Sequence, residues 1–190
     1  MCNCEDDREG KPGETVYGRE RARLLDLLYN FTYAYDAKDV EAMRPLLTED
    51  AIWSCYLNGS EEPVLLTHER QSVLDWMANR ELIMREYGLV SHDLALLPIL
   101  TWVDQNTVRI KSTTLNFLRS GSKPPRTVQS GTCDSLAVRG ADDQWRFSSR
   151  VMHVWGRVDP HLIGRTLLAD VPWPDEPDDF THVLVSGNDT

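Results

Sequence analysis

The chain has 190 residues, with 20 lysines and arginines against 30 aspartates and glutamates and a formal net charge of -10. That length suits one domain with tails and a real core, and the acidity, without a basic patch, excludes a nucleic-acid backbone or an anionic membrane as partner. No apolar run approaches the roughly 20 residues that span a bilayer, and M-C-N-C-E-D-D-R-E-G lacks the regions of a secretory signal, so a cytoplasmic protein is expected.

Residues 1–16 are polar and hold Pro12 and Gly13, the composition of a flexible lead-in. Cys2, Cys4, Cys55 and Cys133 form no C-x-x-C pair and have no histidine at metal spacing, so no metal site is expected. From Arg19, the residues Leu24, Leu25, Leu28, Phe31 and Tyr35 recur at helical spacing, which predicts an amphipathic helix ending near Asp36. D-V-E-A-M-R-P-L-L predicts a short second helix capped near Asp39, with a kink or a brief 3₁₀ turn at Pro45, followed by a turn over 48–50. Residues 51–57 read as a strand with Trp53, Cys55 and Leu57 on one face, and residues 67–86 as a third helix stopped by Gly88. Four strand-like runs follow, at 89–103, 107–119, 127–139 and 144–157, joined by D-Q-N, S-G-S-K-P-P and R-G-A-D-D. Residues 158–190 are dense in proline and acid and form either a lid or an extended, disordered tail.

Three helices, a strand and an antiparallel meander make an α+β domain over 17–157, with helices covering one face of a curved sheet whose concave side forms a pocket. Alternate strand residues share a face. Ser112, Thr114 and Asn116 fall on one side of their strand, with Leu115 and Phe117 on the other; Thr132 and Asp134 fall together on the next. Such polar rows line a pocket or face solvent, and parity does not say which. Arg150, grouped with Met152 and Val154, either grips an anionic or carbonyl oxygen or pairs with an acid at a sheet edge.

Two stretches concentrate the chemistry. Asp36, in Y-A-Y-D-A-K-D, and His92, in L-V-S-H-D, supply an acid and an imidazole. They form either a proton-transfer pair or a helix-end cap and a strand histidine. With no G-x-G-x-x-G, G-x-x-x-x-G-K-[ST] or G-x-S-x-G, side chains alone are expected to carry any reaction, without a cofactor.

A-Y-D-A-K-D, residues 34–39, resembles the Y-D-x-K-D stretch at the end of the first helix of scytalone dehydratases. The order of elements resembles the SnoaL-like branch of the nuclear-transport-factor-two-like fold, which also holds hexachlorocyclohexane dehydrochlorinases. The resemblance implies a cone-shaped sheet closed by three N-terminal helices, with Asp36 paired to His92 deep inside. It places Tyr35 beside a bound water, Trp53 as the aromatic of the first strand, and Arg150, in Q-W-R-F-S-S-R, as a pocket arginine. V-W-G, residues 154–156, is similar to the exit toward a closing C-terminal segment. Asn116 stands where the dehydratases have a second histidine, and Thr132 and Asp134 where they have serine and asparagine, which argues against scytalone as substrate.

The expectation is a cofactor-independent lyase, a dehydratase of a cyclic, largely apolar polyketide- or terpenoid-like metabolite, forming a dimer or trimer of identical chains. His92, charged and oriented by Asp36, would move the proton; Arg150, Asn116 and Tyr56 would polarise the substrate oxygen; Trp53 and Met152 would wall the pocket. The alternatives are an isomerase or cyclase using the same dyad, and a non-catalytic binding module, which would need neither Asp36 nor His92.

Overall fold

Residues 10–156, apart from 87 and 123, are described in the computed structural model of the chain. Helix α1 (Gly18–Ala37) buries Leu24, Leu28 and Phe31 along the predicted stripe. It stops at Lys38, whose left-handed backbone (φ 58) turns its N–H back onto the carbonyls of Ala34 and Tyr35. Asp39 then caps α2 (Val40–Met43), accepting from the Ala42 N–H at 2.9 Å. Pro45 sits in a 3₁₀ turn over Arg44–Leu46, where its missing N–H costs nothing.

Strand β1 runs over Leu47–Leu57 and so absorbs the turn expected at 48–50: Leu47 pairs with Phe147, and an irregularity before Ile52 takes up the polar T-E-D. A short edge strand, β2 (Leu65–His68), was not expected from the sequence. Pairing with β1 draws Thr67 and His68 into it, and α3 begins only at Arg70 (Arg70–Glu86). The meander follows as β3 (Leu89–Asp104), β4 (Thr107–Ser120), β5 (Arg126–Arg139) and β6 (Trp145–Gly156).

The six strands form one curved, unclosed sheet in the order β2-β1-β6-β5-β4-β3. Every pairing is antiparallel except that of β1 with β6, which is parallel. The helices pack on one face, and Phe31 of α1 meets Trp53 of β1 and Phe147 of β6 at ring separations of 5.7 and 5.4 Å. Burying each such ring is worth about 1.5–3 kcal/mol, which fixes α1 against the middle of the sheet. Glu20 secures its other end, accepting from Trp145 Nε1 at 2.7 Å and pairing with Arg139 at 3.0 Å.

Residues 13–16 differ from the free lead-in expected. Gly13 and Val16 donate to the carbonyls of Trp102 and Leu100, and the Val16 side chain is fully buried. Cys2, Cys4 and the expected C-terminal lid or tail lie outside the described residues. Among the described residues no helix is long and apolar enough to cross a membrane, and no cluster of three or more histidines, cysteines or acids could hold a metal ion.

Candidate active site

Strand parity, once the register is known, sorts the expected site residues into two groups. Trp53 pairs with Arg150, Arg150 with Ser135, and Ile110 with Ser135, so Trp53, Arg150, Met152, Thr114 and Asn116 share the face that packs under the helices. Tyr35 reaches the same space from the last turn of α1, its ring 5.7 Å from that of Trp53. Tyr56, Thr132 and Asp134 lie on the opposite face, which corrects the roles expected for them. Tyr56 stacks on His153 at 4.8 Å. Asp134 pairs with Arg109 at 3.4 Å and Lys111 at 3.8 Å, and Thr132 lines the same outer groove of about 530 Å³.

His92 lies at the rim of the inner site, not deep within it. Its side chain is 60% exposed, while its neighbour Asp93 takes the inward parity with Ser91. The cause is a bulge. Leu100 and Trp102 are buried from even positions, but the register slips between Leu96 and Ile99, with Leu97 at φ 51 before Pro98, so that inward positions upstream are the odd ones. Pro98, inside a strand-like run, is the sequence signal for that flip.

Asp36 nevertheless joins the two strand residues. Its Oδ1 accepts from the Asp93 N–H at 2.8 Å, a donor that edge strand β3 leaves without a partner strand. Its Oδ2 lies 3.6 Å from His92 Nδ1, an ion-pair separation outside direct hydrogen bonding. Asp93 in turn accepts from Asn116 Nδ2 at 3.0 Å. Burial pushes the Asp93 carboxyl above the usual carboxylate range, with Arg80 and the Asn116 bond pulling the other way. An acid, a second carboxyl inclined to hold its proton and an amide thus share one wall, with the imidazole at its rim, the equipment for moving a proton at a polarised oxygen.

Deeper in, Arg150 is 6% exposed and lies 4.4 Å from the Phe31 ring and 4.6 Å from that of Phe147. Its Nη2 reaches Cys133 Sγ at 3.5 Å, while Nε and Nη1 have no hydrogen-bond partner. No acid pairs with it among the described residues, so the sheet-edge ion pair left open by the sequence is not formed. Trp53 Nε1, beside it in register, is likewise buried without a partner. Burial raises the Tyr35 phenol well above its ordinary range, with Arg80 opposing, so it stands as a neutral O–H.

Four residues of this wall were missed by the sequence reading: Lys38, Arg80, Ser91 and Asp93. Lys38 belongs to the quoted Y-D-A-K-D stretch, and Ser91 and Asp93 flank His92 at the alternate parity. Arg80 carries no local signal, since an arginine on an amphipathic helix ordinarily faces solvent.

The SnoaL-like domain family matches residues 18–151 of the chain. No curated protein matches. Among solved structures, ActVI-ORFA of Streptomyces coelicolor is 16% identical with a TM-score of 0.60, over 71% of this chain and 96% of that one. A candidate scytalone dehydratase from Novosphingobium aromaticivorans is 16% identical with a TM-score of 0.57, over 71% and 83% of the two chains. An NTF2-like protein with a cystatin-like fold from the same species is also 16% identical, with a TM-score of 0.57 over 70% and 80%. At such identity the likeness concerns the fold.

Proposed function

The chain belongs to the SnoaL-like domain family, and from that premise we propose that it is a cofactor-independent lyase, a dehydratase of a cyclic polyketide- or terpenoid-like metabolite. One observation supports the reading above others: Asp36, with one oxygen held by the Asp93 N–H, directs the other toward His92 Nδ1 at 3.6 Å, beside the Asp93–Asn116 pair. A carboxylate fixed in this way orients the imidazole and stabilises the imidazolium that forms when it takes a proton. Catalytic hydrogen bonds are often long before substrate binds.

In the proposed reaction, His92 removes a proton from the carbon next to a carbonyl and delivers it to the hydroxyl on the neighbouring carbon. The C–O bond breaks, water leaves, and a carbon–carbon double bond remains. Asn116 and Arg150 face the side on which negative charge develops at the carbonyl oxygen, while Tyr35, Trp53 and Met152 supply the apolar wall that limits water. We further infer that identical chains associate through the outer sheet face. Ile99 and Leu97 stand exposed there around a groove in which Arg109 and Lys111 share the one carboxylate of Asp134.

The test is turnover of a panel of cyclic hydroxyketones, chosen after mass spectrometry of metabolites that co-purify with the protein. His92→Ala should lower the rate by about 10²–10⁴-fold with the circular dichroism spectrum unchanged. Asp36→Asn should also lose most of the rate, because its amide oxygen still accepts from the Asp93 N–H while the charge facing His92 is gone. A folded His92→Ala variant with near-wild-type turnover would leave a binding module as the better reading.

A further inference from the structure

Two cations that the proposed reaction does not use converge on one buried hydroxyl. Lys38 Nζ donates to Ser91 Oγ at 3.0 Å and Arg80 Nη1 to the same oxygen at 3.4 Å, and Ser91 is 1% exposed. Both heads also stand over the Tyr35 ring, at 4.9 and 5.4 Å. Two like charges this close repel unless an anion lies between or beside them.

Asp93, Asp36 and Glu81 act on these charges from a distance, but each makes its direct contact with another group. Asp36 is held by the Asp93 N–H, Asp93 by Asn116, and Glu81 by Arg85 at 2.6 Å. Among the described residues no carboxylate approaches either head within the 4.0 Å of an ion pair. Lys38 is also a costly residue at its position. It ends α1 in the left-handed conformation that glycine takes freely, and a side chain there loses roughly 1 kcal/mol. A lysine kept in that conformation with its ammonium turned inward has a use beyond ending the helix.

We propose that Lys38, Arg80 and Ser91 form an anchor for a carboxylate carried by the substrate. The proposal rests on the dehydratase reading and narrows it to a cyclic carboxylic acid. The anchor and the Asp36–His92 pair meet at the edge strand β3: Ser91 and Asp93 face inward with His92 between them at the rim, so a ring held by its carboxylate at Ser91 must extend past the strand edge, beside Asp36, to reach the imidazole. Arg80 supplies a planar fork for the two oxygens and Lys38 a point charge, with the Ser91 O–H, not used in accepting from the two cations, as a further donor.

The protonation of Lys38 makes the anchor pH-dependent. Burial first, and Arg80 second, lower the ammonium to about 8, against the opposing pull of Asp93, Asp36 and Glu81; Tyr35, the other titratable neighbour, stays neutral. A bound carboxylate needs the ammonium charged, so affinity is full below that range and falls as pH rises through it.

Isothermal titration with 2-naphthoate and the neutral isostere 2-naphthamide tests the proposal without turnover. Wild-type protein should prefer the carboxylate by about tenfold or more, and the preference should shrink above pH 8. Lys38→Met and Arg80→Met should each remove most of it, Lys38→Arg should restore it, and Asp36→Asn should keep it. If Lys38→Met fails to fold, Lys38→Gln, which retains a donor for Ser91 Oγ, takes its place. Equal binding of the two compounds, no binding of naphthoate, full preference in the Lys38 and Arg80 variants, or Lys38-dependent binding of inorganic phosphate without naphthoate would each overturn the anchor. Failure here with His92→Ala still inactive leaves the dehydratase reading standing. A clear carboxylate preference with His92→Ala fully active removes the dehydratase and leaves an anion-binding module.

Discussion

Asp36 serves the sheet with one oxygen and faces His92 with the other, which is why its structural and chemical readings are both true of the same side chain. Arg150 presents the opposite case, a guanidinium enclosed by aromatic rings with two of its nitrogens unmatched. An unpaired buried charge weakens the fold, and an apolar group of similar length in its place is often neutral or stabilising by about 1–4 kcal/mol. Arg150→Met should therefore unfold in urea at the same or a higher concentration than wild type, while turnover falls by roughly 10–10³-fold for want of the cation near the developing oxyanion. A large drop in the urea midpoint would mean instead that the stacking on Phe31 and Phe147 holds the core together and that Arg150 is a structural residue.

Among the elements, β5 illustrates what a sequence reveals of a sheet and what it withholds. The strands β3 to β6 were legible from their turns and apolar runs, and the residues sharing each face followed from alternation alone. Which face turns inward was not legible, because it depends on bulges and on what the neighbouring strand carries. The polar row with Thr132 and Asp134 was open to either reading, pocket or solvent, and faces outward; the inward row is Gly131, Cys133 and Ser135. His92, which the resemblance set deep inside, turns outward because of the register slip at Pro98, whereas Trp53, Asn116 and Arg150 came out on the helix side. Gly131 shows how tight the inward row is. A β-carbon there would stand 2.1 Å from the His153 carbonyl oxygen and 2.8 Å from the Val154 Cα, both backbone atoms of β6. Gly131→Ala should cost about 1–3 kcal/mol, read as a lowered urea midpoint, and a midpoint equal to wild type would show that β5 and β6 can part at no expense.

At the scale of the whole molecule, the outer sheet face and the strand order set two different expectations. If copies meet on the outer face, light scattering behind a sizing column should report a dimer or trimer, and Ile99→Asp, placed where the side chain is 64% exposed, should shift it toward the monomer without loss of the circular dichroism spectrum. A wild-type monomer at micromolar concentration would end that proposal. The strand order bears on how the chain is made. Strand β1 is emitted early but its second edge is closed only by β6, through partners as distant as Trp53 and Arg150. At synthesis rates of about 5–20 residues per second, roughly 5–20 seconds separate the two strands as they leave the ribosome. For that interval β1 offers an open, β-branched and aromatic edge to any other nascent chain. The β1–β6 pairing spans the longest sequence separation in the sheet, the kind of closure that slows folding most.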